Sequence, residues 1–237
     1  MKTDNPYEAK DRRFRNFRKQ NPDVSFAKYT MDLVVRAMEN GKVNPDSALA
    51  LAECNPEKFW DAAEPKAKKW FDTLALKRRH KVIEYGCGSL RLGAHFISFL
   101  DRGNYFGLDV IGDFYEQGVR AIGAKLIEAK APRLRTIGAQ SMDEATSFAA
   151  DVVCSNTVAV HVHPLETEVY FHNLARLIFN AVLYKRRHRF RFNSWAWPIE
   201  FYKESLAELE CVRVDTGRPR IEDGIEMNLA EFEFRRR

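Results

Sequence analysis

The chain has 237 residues, with 38 Lys and Arg against 33 Asp and Glu, a formal net charge of +5, and a composition 45% hydrophobic and 30% charged. Such values describe a folded chain with one sizeable core and an appendage; they exclude a disordered polymer and argue against two full α/β domains. No apolar run approaches the ~20 residues that cross a bilayer, and the N-terminus lacks the apolar stretch of a secretory signal, so a cytoplasmic protein without a membrane partner is expected. In chain order, residues 1–20 are polar, basic and poor in aliphatics, and read as a flexible arm. Residues 21–79 read as a helical cap. Asn-Pro pairs at 21–22, 44–45 and 55–56 suit an N-cap followed by proline in the first turn, and Phe26, Met31, Leu33, Val34, Ala37 and Met38 recur at helical spacing before Asn40-Gly41. Phe59, Trp60, Trp70 and Phe71 are expected as core contacts, with Pro65 splitting their segment.

From residue 80 to 237 strand and helix signals alternate, as in a parallel sheet with helices on both faces. Candidate strands are 81–86, 104–109, 133–137, 150–155 and 187–193, and candidate helices lie near 91–100, 112–130, 165–180 and 199–208. Two further strands, 209–214 and 227–234, close the sheet; the second alternates apolar and charged residues, as an antiparallel strand solvated on one side does. Cys54, Cys87, Cys154 and Cys211 are scattered, with no C-x-x-C pair, so neither a disulfide framework nor a metal site is expected.

The most informative segment is Lys81-Val-Ile-Glu-Tyr-Gly-Cys-Gly-Ser-Leu-Arg-Leu-Gly93, an apolar strand running into a glycine-rich turn. Gly86 and Gly88 permit close approach of backbone to a ligand. Asp109 ends the next strand, 21 residues after Gly88, where a carboxylate can accept hydrogen bonds from a ribose diol. The dinucleotide fingerprint G-x-G-x-x-G/A fails here, because Arg91 holds its third small position. Glu84 suits instead a nucleoside that bears an ammonium group and no phosphate.

Together, Glu84 to Gly88 and Gly107-Leu-Asp109 resemble motif I and the second-strand acid of class I S-adenosylmethionine (SAM)-dependent methyltransferases, over roughly residues 80 to 234. The resemblance implies an α/β, Rossmann-like three-layer sandwich with a seven-stranded, mostly parallel sheet behind an N-terminal helical extension, and SAM as cofactor. One departure is Leu90, where the commonest motif has glycine. Ligands of open α/β sheets bind beyond the carboxyl ends of the strands. Expected cofactor-binding residues are therefore Glu84, Gly86, Cys87, Gly88 and Ser89 after the first strand and Asp109, Val110 and Ile111 after the second. Gln140, Ser141 and Met142 follow the third, near the adenine by resemblance, and Ser155 and Asn156 follow the fourth. Ile111 is a second candidate for packing on the adenine, and the Cys87 side chain is expected to point away as a small apolar group.

For catalysis the candidate is His161 in Val160-His-Val-His-Pro164, a neutral imidazole suited to accept a proton near pH 7; His163 is its neighbour. Ser155-Asn-Thr-Val158 stands where methyltransferases of base amino groups often carry (D/N/S)-P-P-(Y/F/W), which removes the main support for that activity. The expected function is methyl transfer from SAM to an O or N atom of a small or medium-sized metabolite. Basic runs at 10–19, 77–81, 185–191 and 235–237 keep an RNA methyltransferase as the alternative, since they can neutralise phosphates. A non-catalytic cofactor-binding scaffold is the third reading.

Overall fold

The computed structural model of the protein describes residues 6–40, 61, 63–156, 158–177, 182–186, 199–216, 220–222, 225–227 and 230–237. Residues 6–20, expected as a flexible arm, form helix α1 (Pro6–Gln20). The expectation weighed aliphatics and overlooked aromatics. Phe14 is fully buried and meets Phe26 and Tyr29 at ring separations of 4.9 and 5.3 Å, enough apolar area to hold a basic helix down. Helix α2 (Phe26–Glu39) begins four residues later than the Asn21-Pro22 pair suggested; Ser25 caps it, its Oγ accepting the Lys28 N–H at 3.1 Å, and Leu33 is exposed rather than packed. The other two Asn-Pro pairs, Phe59 and Trp60 lie outside the described residues. Helix α3 (Glu64–Thr73) has Pro65 in its first turn and buries Trp70; Phe71 stacks on Phe99 at 4.6 Å.

Four parallel pairings build the sheet from β1 (Val82–Tyr85), β2 (Tyr105–Asp109), β3 (Arg133–Thr136), β4 (Val152–Asn156) and β5 (Val182–Arg186). The fifth strand thus precedes the expected 187–193, which falls outside the described residues. Between them run α4 (Gly93–Phe99), α5 (Gly112–Ile122), α6 (Ala124–Lys130), α7 (Ala139–Ser147) and α8 (Thr167–Leu177); α9 (Ile199–Ser205) follows. The expected single helix over 112–130 is divided at Gly123, whose φ is +89°. Helix α7 was not foreseen, although Met142, Ala145 and Phe148 are spaced to bury one helical face.

Strands β6 (Leu209–Thr216), β7 (Arg220–Glu222), β8 (Ile225–Met227) and β9 (Ala230–Arg236) end the chain. The order in the main sheet is β3-β2-β1-β4-β5-β9-β6, with β9 antiparallel to both neighbours; β7 and β8 form a separate hairpin that takes up part of the expected 227–234 strand. Alternation along β1 sends Ile83 and Tyr85 to one core with α7, α8 and α9, and Val82 to the other with α3 and α4. Glu84 shares the second face, which decides its neighbours.

Candidate active site

The chain leaves β1 into a turn tied to the next strand: the N–H groups of Gly86 and Cys87 both donate to the Leu108 carbonyl, at 2.7 and 3.0 Å. Gly86 has φ +82°, and a Cβ there would stand 2.2 Å from Val158 Cγ2, so contact with the segment after β4 imposes glycine. Gly88, at φ +51°, differs. A Cβ on it would meet nothing within 4 Å, so open space lies over this backbone. Leu90, the departure from the motif, has φ +61°, a left-handed backbone for which glycine is suited. Its side chain is fully buried, which offsets a conformational cost of about 1–2 kcal/mol. Cys87 packs as a small apolar core group; burial raises its thiol well above the ordinary value, with the carboxyls of Asp109 and Glu84 adding to the rise.

Asp109 closes the turn from below. Its Oδ2 accepts the Gly88 N–H at 2.7 Å and its Oδ1 the Ile111 N–H at 3.2 Å, leaving lone pairs on both oxygens for a further donor. Burial raises its pKa, and the backbone N–H groups of Gly88, Ile111 and Val110 oppose that rise. Val110 beside it is exposed, whereas Ile111 is covered by Ala27 and Phe114; of this pair, Val110 is the residue open to a ligand.

Glu84 is buried below the turn, where the Tyr105 hydroxyl donates to its Oε2 at 2.6 Å. Burial pushes its pKa to about 8, against the opposing effects of that hydrogen bond and the Lys66 ammonium. Lys66 is the residue that sequence reasoning missed. It reaches in from α3, donates to the Asn156 side-chain oxygen at the end of β4, and lies 5.6 Å from the Trp70 ring. Only its place one turn before the buried Trp70 hinted at this.

The residues after β3 are helical: Gln140, Ser141 and Met142 open α7. Gln140 is exposed and Ser141 Oγ accepts the Gly138 N–H at 2.9 Å; both line an open cavity of about 350 Å³ with Arg135, Thr136 and Gly138. Met142 faces the core instead. At the end of β4, Ser155 is fully buried and its hydroxyl pairs with that of Tyr170 at 2.6 Å, so Asn156, not Ser155, meets the turn's surroundings.

The two histidines part company. His161, in a short 3-10 turn (Ala159–His161), is exposed. His163 is fully buried between Phe14 and Phe26, at ring separations of 4.7 and 5.2 Å. Its Nδ1 accepts the Leu165 N–H at 3.1 Å, which leaves Nε2–H to donate to Asp11 Oδ1 at 2.6 Å. Glu166 Oε1 also accepts the Phe26 N–H at 2.8 Å. The segment after β4 is therefore the seat on which α1 and α2 rest.

No protein-family model matches the chain, and no curated protein matches its sequence. Solved structures do match in fold. Magnesium protoporphyrin IX methyltransferase from Synechocystis PCC 6803, solved with bound SAH, is similar at a TM-score of 0.54 and 14% identity over 89% of this chain and 96% of that one. A SAM-dependent methyltransferase from Methanosarcina mazei aligns at 0.52 and 12% identity over 70% and 97%, and a TehB-like one from Corynebacterium glutamicum at 0.50 and 14% over 74% and 98%. The chain has the α/β, Rossmann-like fold of SAM-dependent methyltransferases, with the glycine turn, Asp109 and Asn156 at the carboxyl ends of adjacent strands.

Proposed function

We propose that the protein binds SAM over Gly88 and transfers its methyl group to an O or N atom of a small or medium-sized metabolite. The observation that carries this reading is the pairing of an open, left-handed Gly88 backbone with a carboxylate that still has lone pairs to offer, Asp109. A ribose diol supplies the donors that Asp109 can take. The methionine end is a zwitterion, and the residues near β1 and β4 offer both signs: Lys66 for its carboxylate, Glu84 and the Asn156 side-chain oxygen for its ammonium. Gln140 and Ser141 border the space beyond Asp109 that suits an adenine.

When bound, the cofactor supplies an electrophilic methyl. The chain's own work is to align the acceptor, exclude water and take up a proton, of which alignment contributes roughly 7–11 kcal/mol. His161 is the residue we assign as proton acceptor, because it is an exposed imidazole after β4, whereas His163 is fully buried. Helices α1 and α2, seated on the same segment, shape the acceptor side as one cap on the cofactor domain.

Calorimetry with SAM, SAH and NAD in one buffer tests the cofactor. Micromolar binding of the first two without NAD supports the reading; NAD alone would overturn it. Replacing Lys66 with Met should weaken SAM more than methylthioadenosine, which lacks the methionine end; equal losses would remove Lys66 from that role. His161→Ala should lower turnover about 10²–10⁴-fold with cofactor affinity unchanged, once an acceptor screen has found the substrate.

A further inference from the structure

The run Lys77-Arg-Arg-His-Lys81, which the candidate site does not use, lies just before β1, at the N-terminal edge of the parallel strands and opposite the glycine turn. The fold gathers other cations around it. Arg78 Nε stands 3.5 Å from Asp101 Oδ1, and the Asn104 amide donates to the Arg79 carbonyl at 3.0 Å, so this run adjoins the turn before β2. Arg102 in that turn donates to the Ala129 carbonyl at 3.0 Å, which brings in the end of α6. Lys81 Nζ and Arg133 Cζ lie 5.3 and 5.2 Å from the same Phe148 ring.

The carboxylates placed among these cations are Asp101, Glu128 and Asp151, with Glu144 Oε1 3.9 Å from Arg133 Nη1, so against Lys77, Arg78, Arg79, Lys81, Arg102, Lys130 and Arg133 the edge under β1, β2 and β3 keeps a positive surplus. Arg78, Arg79, Lys81, Arg102 and Arg133 are all exposed, and an exposed ion pair such as Arg78–Asp101 adds little to stability. Arg102 does tie the turn to the end of α6, and Lys81 Nζ donates to the Phe148 carbonyl at 3.3 Å, but holding the fold together does not account for the charges of Arg78 and Arg79. The large exposed hydrophobics among the described residues, Leu33, Val110, Leu165, Val169 and Val212, all lie in other segments, and Phe148 is buried. The edge thus has nothing to insert into a bilayer and no open aromatic on which an unpaired base could stack. Exposed arginines on short, hydrogen-bonded turns match phosphate oxygens instead.

We propose that this edge docks duplex nucleic acid through its phosphate backbone, without reading base sequence. The surface is opposite the cofactor turn, so docking would locate the protein on its partner rather than present the methylated atom, and it stands independently of the methyl-transfer reading.

The test is fluorescence anisotropy of the full chain with labelled 20-base-pair RNA and DNA duplexes of unrelated sequences, between 50 and 200 mM salt. The expected result is sequence-independent binding whose logarithm falls linearly with the logarithm of salt, by about 0.9 per phosphate neutralised. The double variant Arg78→Glu, Arg79→Glu should lose about tenfold or more in affinity and flatten that slope, with thermal unfolding and SAM calorimetry unchanged. Arg12→Glu with Arg13→Glu, on the exposed side of α1, is the charge-matched control and should bind as the unaltered chain does. Absence of duplex binding at 50 mM salt would overturn the proposal, as would equal losses in the two variants. Stronger binding to phosphatidylserine vesicles than to either duplex would also overturn it, in favour of a membrane surface.

Discussion

The glycine turn and the N-terminal helices meet above the same strand ends, yet they are built in opposite ways. The turn is local: a span of about 25 residues from Glu84 to Asp109 holds its strained backbone, its open space and the carboxylate that ties it down. The seat of α1 and α2 is distant in sequence, joining Asp11 to His163 across 152 positions and Phe26 to Glu166 across 140. Under the proposed function, chemistry common to many acceptors sits in a local motif, whereas the wall proposed to meet one particular acceptor is assembled from remote pieces. Gly86 is where the two regions touch, through Val158.

Breaking that contact should have the largest effect. Gly86→Ala puts a Cβ 2.2 Å from Val158 Cγ2 at a φ of +82°, and a loss of about 3 kcal/mol in denaturant unfolding is expected. Adding Val158→Ala should recover part of it, leaving the cost of the backbone; no recovery would mean that the turn and the seat are not coupled there. His163→Ala should cost a similar or slightly smaller amount, about 2–3 kcal/mol, by emptying a buried site between two phenylalanines and leaving Asp11 with Arg15 as its remaining donor. Its effect should stay on one side of the comparison: proteolysis within residues 6–40 should accelerate while cofactor affinity changes little. A collapse in cofactor affinity would show the two regions to be one unit.

On the turn side, Asp109→Ala should weaken SAM binding by about 1–3 kcal/mol, the usual cost of removing a charged hydrogen-bond partner, and calorimetry would show it. Unchanged affinity would break the ribose assignment.

The effects of pH have opposite signs in the two regions. Burial raises Glu84 to about 8, so the folded state holds a proton that the unfolded chain releases above its ordinary value of 4.5. Stability therefore falls as pH rises from 4.5 to about 8 and levels off above. Glu84→Gln keeps a partner for Tyr105 and should remove that slope in unfolding experiments. Binding of an ammonium by Glu84 should release a proton below pH 8, detectable as calorimetric heats that depend on the buffer. His163 goes the other way. Burial lowers its pKa, with Asp11 partly offsetting this, so its contribution is present above the ordinary imidazole value of 6.5 and is lost as pH falls below it. Unfolding below pH 6.5 should accordingly begin in residues 6–40 before the sheet.

Gly86, Gly88 and Asp109 could be read from the sequence because an unusual backbone demands glycine and a strand tip demands a fixed interval, both properties of neighbours along the chain. The alternation of strand and helix was legible for the same reason, since hydrophobic period is local. Even so, the division of 112–130 at Gly123 and the existence of α7 escaped notice, because a short helix with one buried face leaves a weak periodic signal. Leu90 looked like a flaw in the motif until its side chain was seen buried; core packing holds the left-handed turn that glycine adopts freely. Roles that depend on which way a side chain faces were decided only in three dimensions. Ser155 and Met142 turned into the core, His163 became a seat for α1, and Lys66 entered the site from a helix with no motif at all. Sequence by itself determined where the backbone must bend and where a carboxylate must stand, because those constraints act between neighbours. Tertiary structure alone decided which charges meet, because that is settled by packing between segments the chain keeps far apart.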